Sequence, residues 1–238
     1  MMLFYKAWRE SRATFFWAIL LLSLHCVGVI LPRGNTRAQG SGIDWHDYVT
    51  SQIFSTNGKA LFVLVVILLG PAGIRRERLH HRAVFTLSLP VRRMQLLGTQ
   101  LGVGLIEVAL LALLAALLVE PLSIAVHQSY PVAEALRYSF FRFVCGAEIF
   151  ALAFALSTVV AGTYTAPIAC YFALMLQVRA ASWHPLEPYG LNPLRTIDWG
   201  RSLVDLSQPF PWIPLSLLTL ITVCLFAVAA AITERQNI

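Results

Sequence analysis

Apolar residues fill six long blocks, and polar residues gather in the segments between them. The blocks run over about Phe15–Leu31, Thr56–Ile74, Met94–Val119, Phe140–Ala161, Tyr164–Val178 and Trp212–Ile232. Within each block the apolar run is nearly continuous, without the 3.6-residue rhythm of a helix lying on a soluble core. A helix needs around 20 residues to cross the hydrocarbon of a bilayer. The pattern therefore predicts an all-α membrane protein with six transmembrane helices, forming a single membrane domain over residues 1–238. The fifth block is short, and it follows the fourth through Gly162-Thr163, which predicts a tight turn at the membrane boundary.

The segments between the blocks have patterns of their own. In residues 1–14, Leu3, Phe4, Ala7 and Trp8 alternate with Lys6, Arg9, Glu10 and Arg12. At helical spacing this makes one apolar and one charged face, as in an interfacial helix lying on a leaflet. The competing reading is a signal peptide with Phe15–Leu31 as its apolar core, but no small-x-small cleavage site follows cleanly. The segment 179–211 holds Trp183, Tyr189 and Trp199 among several prolines, the composition of an interfacial belt. Within it, Ile197–Leu206 has the makings of a short helix at or dipping into the outer surface.

Composition agrees with the pattern. The chain is 58% hydrophobic and only 13% charged, where a soluble domain carries about 25% charged residues. The formal charge is +6, and the charge is not evenly spread, which makes nucleic acid a poor partner. Cys26, Cys145, Cys170 and Cys224 lie far apart in apolar stretches and show no metal-ligand spacing. With the amino terminus inside, the inner segments hold ten Lys/Arg against three acids, and the outer segments eight against seven. The positive-inside bias then puts both termini and the 75–93 loop in the cytoplasm.

That loop is the most distinctive part of the chain. It holds six arginines, two histidines and one glutamate between two spans. Phe85, Leu87 and Leu89 add apolar contact at its centre, and Pro90 limits how far a helix can run. Two readings stand side by side and are compatible. One is a basic loop resting on anionic membrane lipid, each basic residue contributing about 1 kcal/mol. The other is a docking segment for a protein partner, with Arg76, Arg78 and Arg82 setting register through ion pairs.

A span ending in Arg75-Arg-Glu-Arg78, then Phe85-Thr-Leu-Ser-Leu-Pro-Val91, then a Leu-rich span with Gly102, Gly104 and Glu107, resembles the membrane subunits of type-2 ABC transporters. The opening Phe4-Tyr-Lys-Ala-Trp-Arg-Glu10 and the run Ser157–Thr165 are also similar to that family. Two positions depart from the similar sequences. His81-Arg82 stands where a Gly-Thr pair is common, and Arg92 where a Ser often follows Leu-Pro-Val.

The resemblance implies an exporter permease in the cell inner membrane. Its cytoplasmic coupling helix between helices two and three, around Arg76, Glu77, Arg78, Arg82, Phe85, Leu87, Leu89 and Pro90, would rest in a cleft of a separate ATPase subunit. No Gly-x-x-x-x-Gly-Lys-Ser/Thr run occurs in the chain, so ATP and Mg would be bound by that partner, with no cofactor and no catalysis on this chain. A second permease copy, identical or similar, would complete the translocation path. Gly98-x-x-x-Gly102 suits close helix approach, either within the chain or between copies.

Glu107 and Glu148 fall inside the third and fourth blocks. An ionised carboxylate there costs several kcal/mol without a partner. They are expected either to line a substrate path with Thr158 and Tyr164 or to be hydrogen-bonded within the bundle, with those two residues as candidate partners. His25 reads as a satisfied interior group. The alternatives from other classes are an intramembrane enzyme and a non-transporting assembly or sensor subunit. For the enzyme the histidines are scattered, no Gly-x-Ser-x-Gly or His-Glu-x-x-His occurs, and Asp44-Trp-His46-Asp47 is the tightest acid/His group.

Overall fold

The computed structural model describes residues 2–35, 44–70, 93–160, 162, 164–186, 189–202 and 210–235. The described residues are almost wholly helical. α1 is Met2–Asn35, α2 is Trp45–Val49, a π-helical segment is Thr50–Ser55, and α3 is Asn57–Leu69. Then follow α4 Arg93–Ala125, α5 Val132–Val159, α6 Thr165–Ala181, α7 Pro193–Ser202 and α8 Trp212–Arg235. The coupling segment, from Arg75 through Arg92, lies outside the described residues, and with it Arg76, Glu77, Arg78, Arg82, Phe85, Leu87, Leu89 and Pro90.

Among the described residues, five stretches are long and apolar enough to cross a membrane: Leu3–Pro32, Trp45–Leu69, Met94–Ala125, Val132–Val159 and Trp212–Arg235. The expected fifth span is α6, apolar but with only 17 residues. It is reached through Gly162, whose φ of +125° suits glycine and marks the turn expected there.

The element boundaries depart from the hydropathy reading in three places. The amphipathic opening continues into the first apolar block as one unbroken α1, since nothing between Leu3 and Leu31 breaks a helix. The second span starts at Trp45 rather than Thr56, because Asp44 caps α2 and accepts a hydrogen bond from Trp45 N at 2.9 Å. The fourth starts at Val132 rather than Phe140, after Pro131 and with Glu134 in its first turn.

α5 is the centre of the bundle and packs against α3, α4, α6, α7 and α8. Its middle turns are buried almost all round, through Cys145, Ala147, Ile149, Ala151 and Ala153. Small residues let neighbouring helices approach. Gly104 of α4 leaves no room for a side chain, since an added Cβ would lie 2.1 Å from the Phe150 ring of α5. α1 lies along α4 and α3. The exteriors of α1 and α8 are strongly apolar, with Phe16, Trp17 and Leu24 exposed on one and Ile213, Leu220 and Val223 on the other. That apolar exterior suits a lipid environment, as in a multi-pass membrane protein.

Candidate functional site: buried polar groups in the bundle

Among the described residues, the polar side chains buried in the bundle include two tiers and a separate Glu148–Gln177 pair. One tier gathers around Glu107, midway along α4. Its carboxylate accepts a hydrogen bond from the Ser11 hydroxyl of α1, and both residues are buried. A small cavity beside them is lined by Glu10, Ser11, Gln100, Gly104, Glu107 and Phe150, among others. Gln100 is also buried, and its Oε1 has no hydrogen-bond partner among the described residues. Ser11 and Gln100 went unremarked in the sequence pattern. Their signal was weak: one hydroxyl on an amphipathic segment, and one amide two turns before Glu107.

Glu148 of α5 has a different neighbour. Its Oε1 accepts from the side-chain amide of Gln177 on α6, and its Oε2 is unpartnered among the described residues. Neither of its candidate partners from the sequence is the one found. The Thr158 hydroxyl donates to the carbonyl of Ala155 at 2.7 Å, one turn back on its own helix. Tyr164 is 79% exposed at the turn before α6. The residues expected to line one path are therefore tied to separate neighbours: Glu107 to α1, Glu148 to α6, and Thr158 to its own backbone.

The second tier lies around the start of α5 and the broken helix α2–α3. Its centre is Arg142, which hydropathy assigned to the outer end of a span. The observed start of α5 puts it ten residues in, about 15 Å along the helix axis. Its side chain is fully enclosed. Nη2 donates to the carbonyls of Ile53 and Phe54. The guanidinium also lies over the rings of Phe54 and Phe62, 5.0 Å and 5.6 Å from their centroids.

Local sequence explains why those carbonyls are free. Ser55-Thr56-Asn57-Gly58 is a run of poor helix formers. The backbone widens there to a π turn, with Thr56 N donating to Ser51 O at 2.7 Å, and Thr56 leaves helical geometry altogether. The same four residues had marked the start of a span in the hydropathy reading, whereas they break one in its interior.

α7 closes over this tier. Asn192 caps it, its Oδ1 accepting from Leu194 N at 3.1 Å and Arg195 N at 3.2 Å, with Pro193 at the first helical position. The helix therefore starts four residues before the expected Ile197. Ile197 is fully buried, and α7 packs on α5 and the π segment. Lys59 of α3 reaches it, donating to Asp198 Oδ2 at 2.5 Å and to the Leu194 carbonyl at 3.4 Å.

His46 faces Glu134 of α5 in an ion-pair geometry and stacks on Tyr130, ring centroids 5.2 Å apart. Burial pushes the Tyr130 phenol up to about 12, opposed by its hydrogen bond with Thr50. The phenol therefore stays neutral at physiological pH and works as a hydrogen-bonding brace between the π segment and the start of α5. The Asp44–Asp47 group does not converge: Asp44 caps α2, His46 turns to Glu134, and Asp47 is exposed. Among the described residues no group of three or more His, Cys, Asp or Glu is placed to hold a metal ion. His25 is satisfied as expected, its Nε2 lying 3.4 Å from the Gln52 carbonyl. The four cysteines are free thiols, three of them buried.

No protein-family model matches the chain, and no curated protein matches it.

Proposed function

We propose that the chain is the membrane-spanning permease subunit of an ATP-driven type-2 ABC exporter. It works in the inner membrane with both termini cytoplasmic, beside a second permease copy, and docks a separate ATPase that binds ATP and Mg. The observation that carries this reading is the Arg-Glu-Arg…Ser-Leu-Pro-Val segment, residues 76–91, between the second and third spans. The six arginines of residues 75–93 favour the cytoplasmic side, and the apolar centre at Phe85, Leu87 and Leu89 favours a protein contact over lipid alone.

The architecture of the described residues supports it in one respect. α3 and α4 flank the segment, and α4 packs along α1 and α5. A push on the segment would reach the Glu107 tier through the start of α4. Coupling of this kind requires two conformations that the nucleotide shifts differently. Glu107 and Glu148, with Thr158 and Tyr164, are the groups offered to the translocated molecule along the bundle.

The test is purification of the tagged full chain from native membranes in a gentle detergent. An ATPase subunit is expected to co-purify, with ATP hydrolysis, and to be lost when Phe85 and Leu89 are both changed to Asp. A chain that purifies alone from those membranes, with no ATPase bound in any nucleotide state, would overturn the assignment and favour an assembly or enzymatic role.

A further inference from the structure

Packing decides which face of α1 looks outward. The helix lies along α4 and α3, with Ala7, Ser11, Phe15, Ala18 and Leu22 buried. Tyr5, Arg9, Arg12, Phe16 and Leu20 follow one another at helical spacing on the far side, and all five are exposed. Glu10, the acid of this stretch, turns off that stripe and lines the cavity beside Ser11.

Along the stripe the chemistry changes within about one turn. Arg9 and Arg12 come first, and Phe16 and Leu20 follow, with Trp17 and Leu24 exposed beside them. Phe16 is braced by Trp8, edge to face with ring centroids 6.4 Å apart, and Trp8 packs in turn on buried Phe15 at 5.4 Å. Residues three apart on a helix have their Cβ atoms about 5–6 Å apart. Two guanidinium groups at that spacing suit the oxygens of a phosphate, which Arg binds with a planar fork and Lys only as a point charge.

The occupant must therefore carry a negative head and an apolar tail on the same side. A soluble acidic peptide leaves Phe16, Leu20 and Leu24 without apolar contact. An apolar helix would bring hydrocarbon onto two arginines. A zwitterionic lipid has the phosphate, but its own ammonium offsets the charge. An anionic phospholipid matches both halves of the stripe, and basic residues beside a span attract such lipids.

We propose that the outward stripe of α1 binds an anionic phospholipid, its phosphate on Arg9 and Arg12 and an acyl chain along Phe16 and Leu20. The surface does not depend on the permease assignment, because it rests on the exposed face of one membrane-spanning helix. A lipid held there fixes the depth of α1 in its leaflet, and with it the level at which Ser11 meets Glu107.

The experiment is thermal unfolding of the purified full chain in neutral detergent at fixed ionic strength, titrated with phosphatidylglycerol or with phosphatidylcholine of the same acyl chains. Phosphatidylglycerol is expected to raise the midpoint by several degrees in a saturable manner, as binding to the folded state requires, and phosphatidylcholine to leave it nearly unchanged. Arg9→Gln with Arg12→Gln should abolish the shift. Arg137→Gln with Arg179→Gln, which alters exposed arginines on α5 and α6, should retain it. Equal responses to the two lipids would overturn the proposal, as would equal losses in the two double variants, which mark a general charge effect. A shift of the same size with glycerol 3-phosphate would also overturn it, since that outcome describes a site for free phosphate. Should the Arg9/Arg12 variant fail to fold, a photoactivatable acyl chain on phosphatidylglycerol decides the matter in the unaltered chain. Label is expected on 16–24 and should be displaced by excess phosphatidylglycerol but not by phosphatidylcholine. Label spread evenly over α1 and α8, displaced by both lipids alike, overturns the site.

Discussion

At the scale of the single residue, Arg142 has the most consequence. A charge held in an apolar bundle is costly, and among the described residues this one is compensated by two carbonyls and two aromatic faces rather than by a carboxylate in contact. Replacing it with Met removes the donor and leaves the Ile53 and Phe54 carbonyls unpaired, so the variant should lose about 1–3 kcal/mol of stability. Arg142→Lys should not restore it, because an ammonium lacks the planar fork that lies over Phe54 and Phe62. Thermal unfolding in detergent checks both, and an unchanged midpoint in Arg142→Met would show that the carbonyls find other donors. Hydropathy alone had put Arg142 in the outer counting of charges. The start signals at Pro131 and Glu134 were legible in the sequence and would have placed it well inside a helix. Its carbonyl partners on a different helix, 88 and 89 residues away, were not legible.

At the scale of elements, two contacts between helices can be tested. Gly104 faces the Phe150 ring at a distance no Cβ tolerates. Gly104→Ala should therefore overpack the α4–α5 contact and cost about 1–3 kcal/mol. Phe150→Leu in the same chain should recover part of that loss, since the smaller side chain makes the room. Equal midpoints for Gly104→Ala and the parent would mean the helices separate without strain. The second contact is the Lys59–Asp198 pair that fastens α7 to α3. Both side chains are partly exposed, so the coupling should be modest. A double-mutant cycle with Lys59→Ala and Asp198→Ala should return about 0.5–1 kcal/mol. Independent, additive effects would show that α7 is held by Ile197 and its apolar neighbours alone. The short helix in this loop was expected from composition. The Asn192-Pro193 pair that starts it is a local cap signal, which the apolar residues after it do not carry.

At the scale of the whole molecule, two tiers of buried and half-buried polar groups tie helices together, apart from the Glu148–Gln177 pair. One joins α1 to α4 through Ser11 and Glu107, and the other joins the broken second span to α5 and α7 through Arg142, Lys59 and His46. The permease reading predicts that these tiers move relative to one another when the ATPase engages residues 76–91. A reporter pair placed on α1 and α7 should change separation with nucleotide in the assembled complex, and should not change when Phe85 and Leu89 are both Asp. The amino-acid sequence by itself determined that the chain is helical and apolar, and approximately where its spans lie. Those properties follow from composition within a window of about twenty residues and from local start and stop signals. Which buried polar group meets which was decided only by the tertiary structure. Glu107 meets Ser11 and Glu148 meets Gln177, across 96 and 29 residues of chain. Hydropathy records that a carboxylate lies in a span. Its partner depends on which face of which helix is packed against it, and that is set by the fit of small residues such as Gly104 against rings such as Phe150.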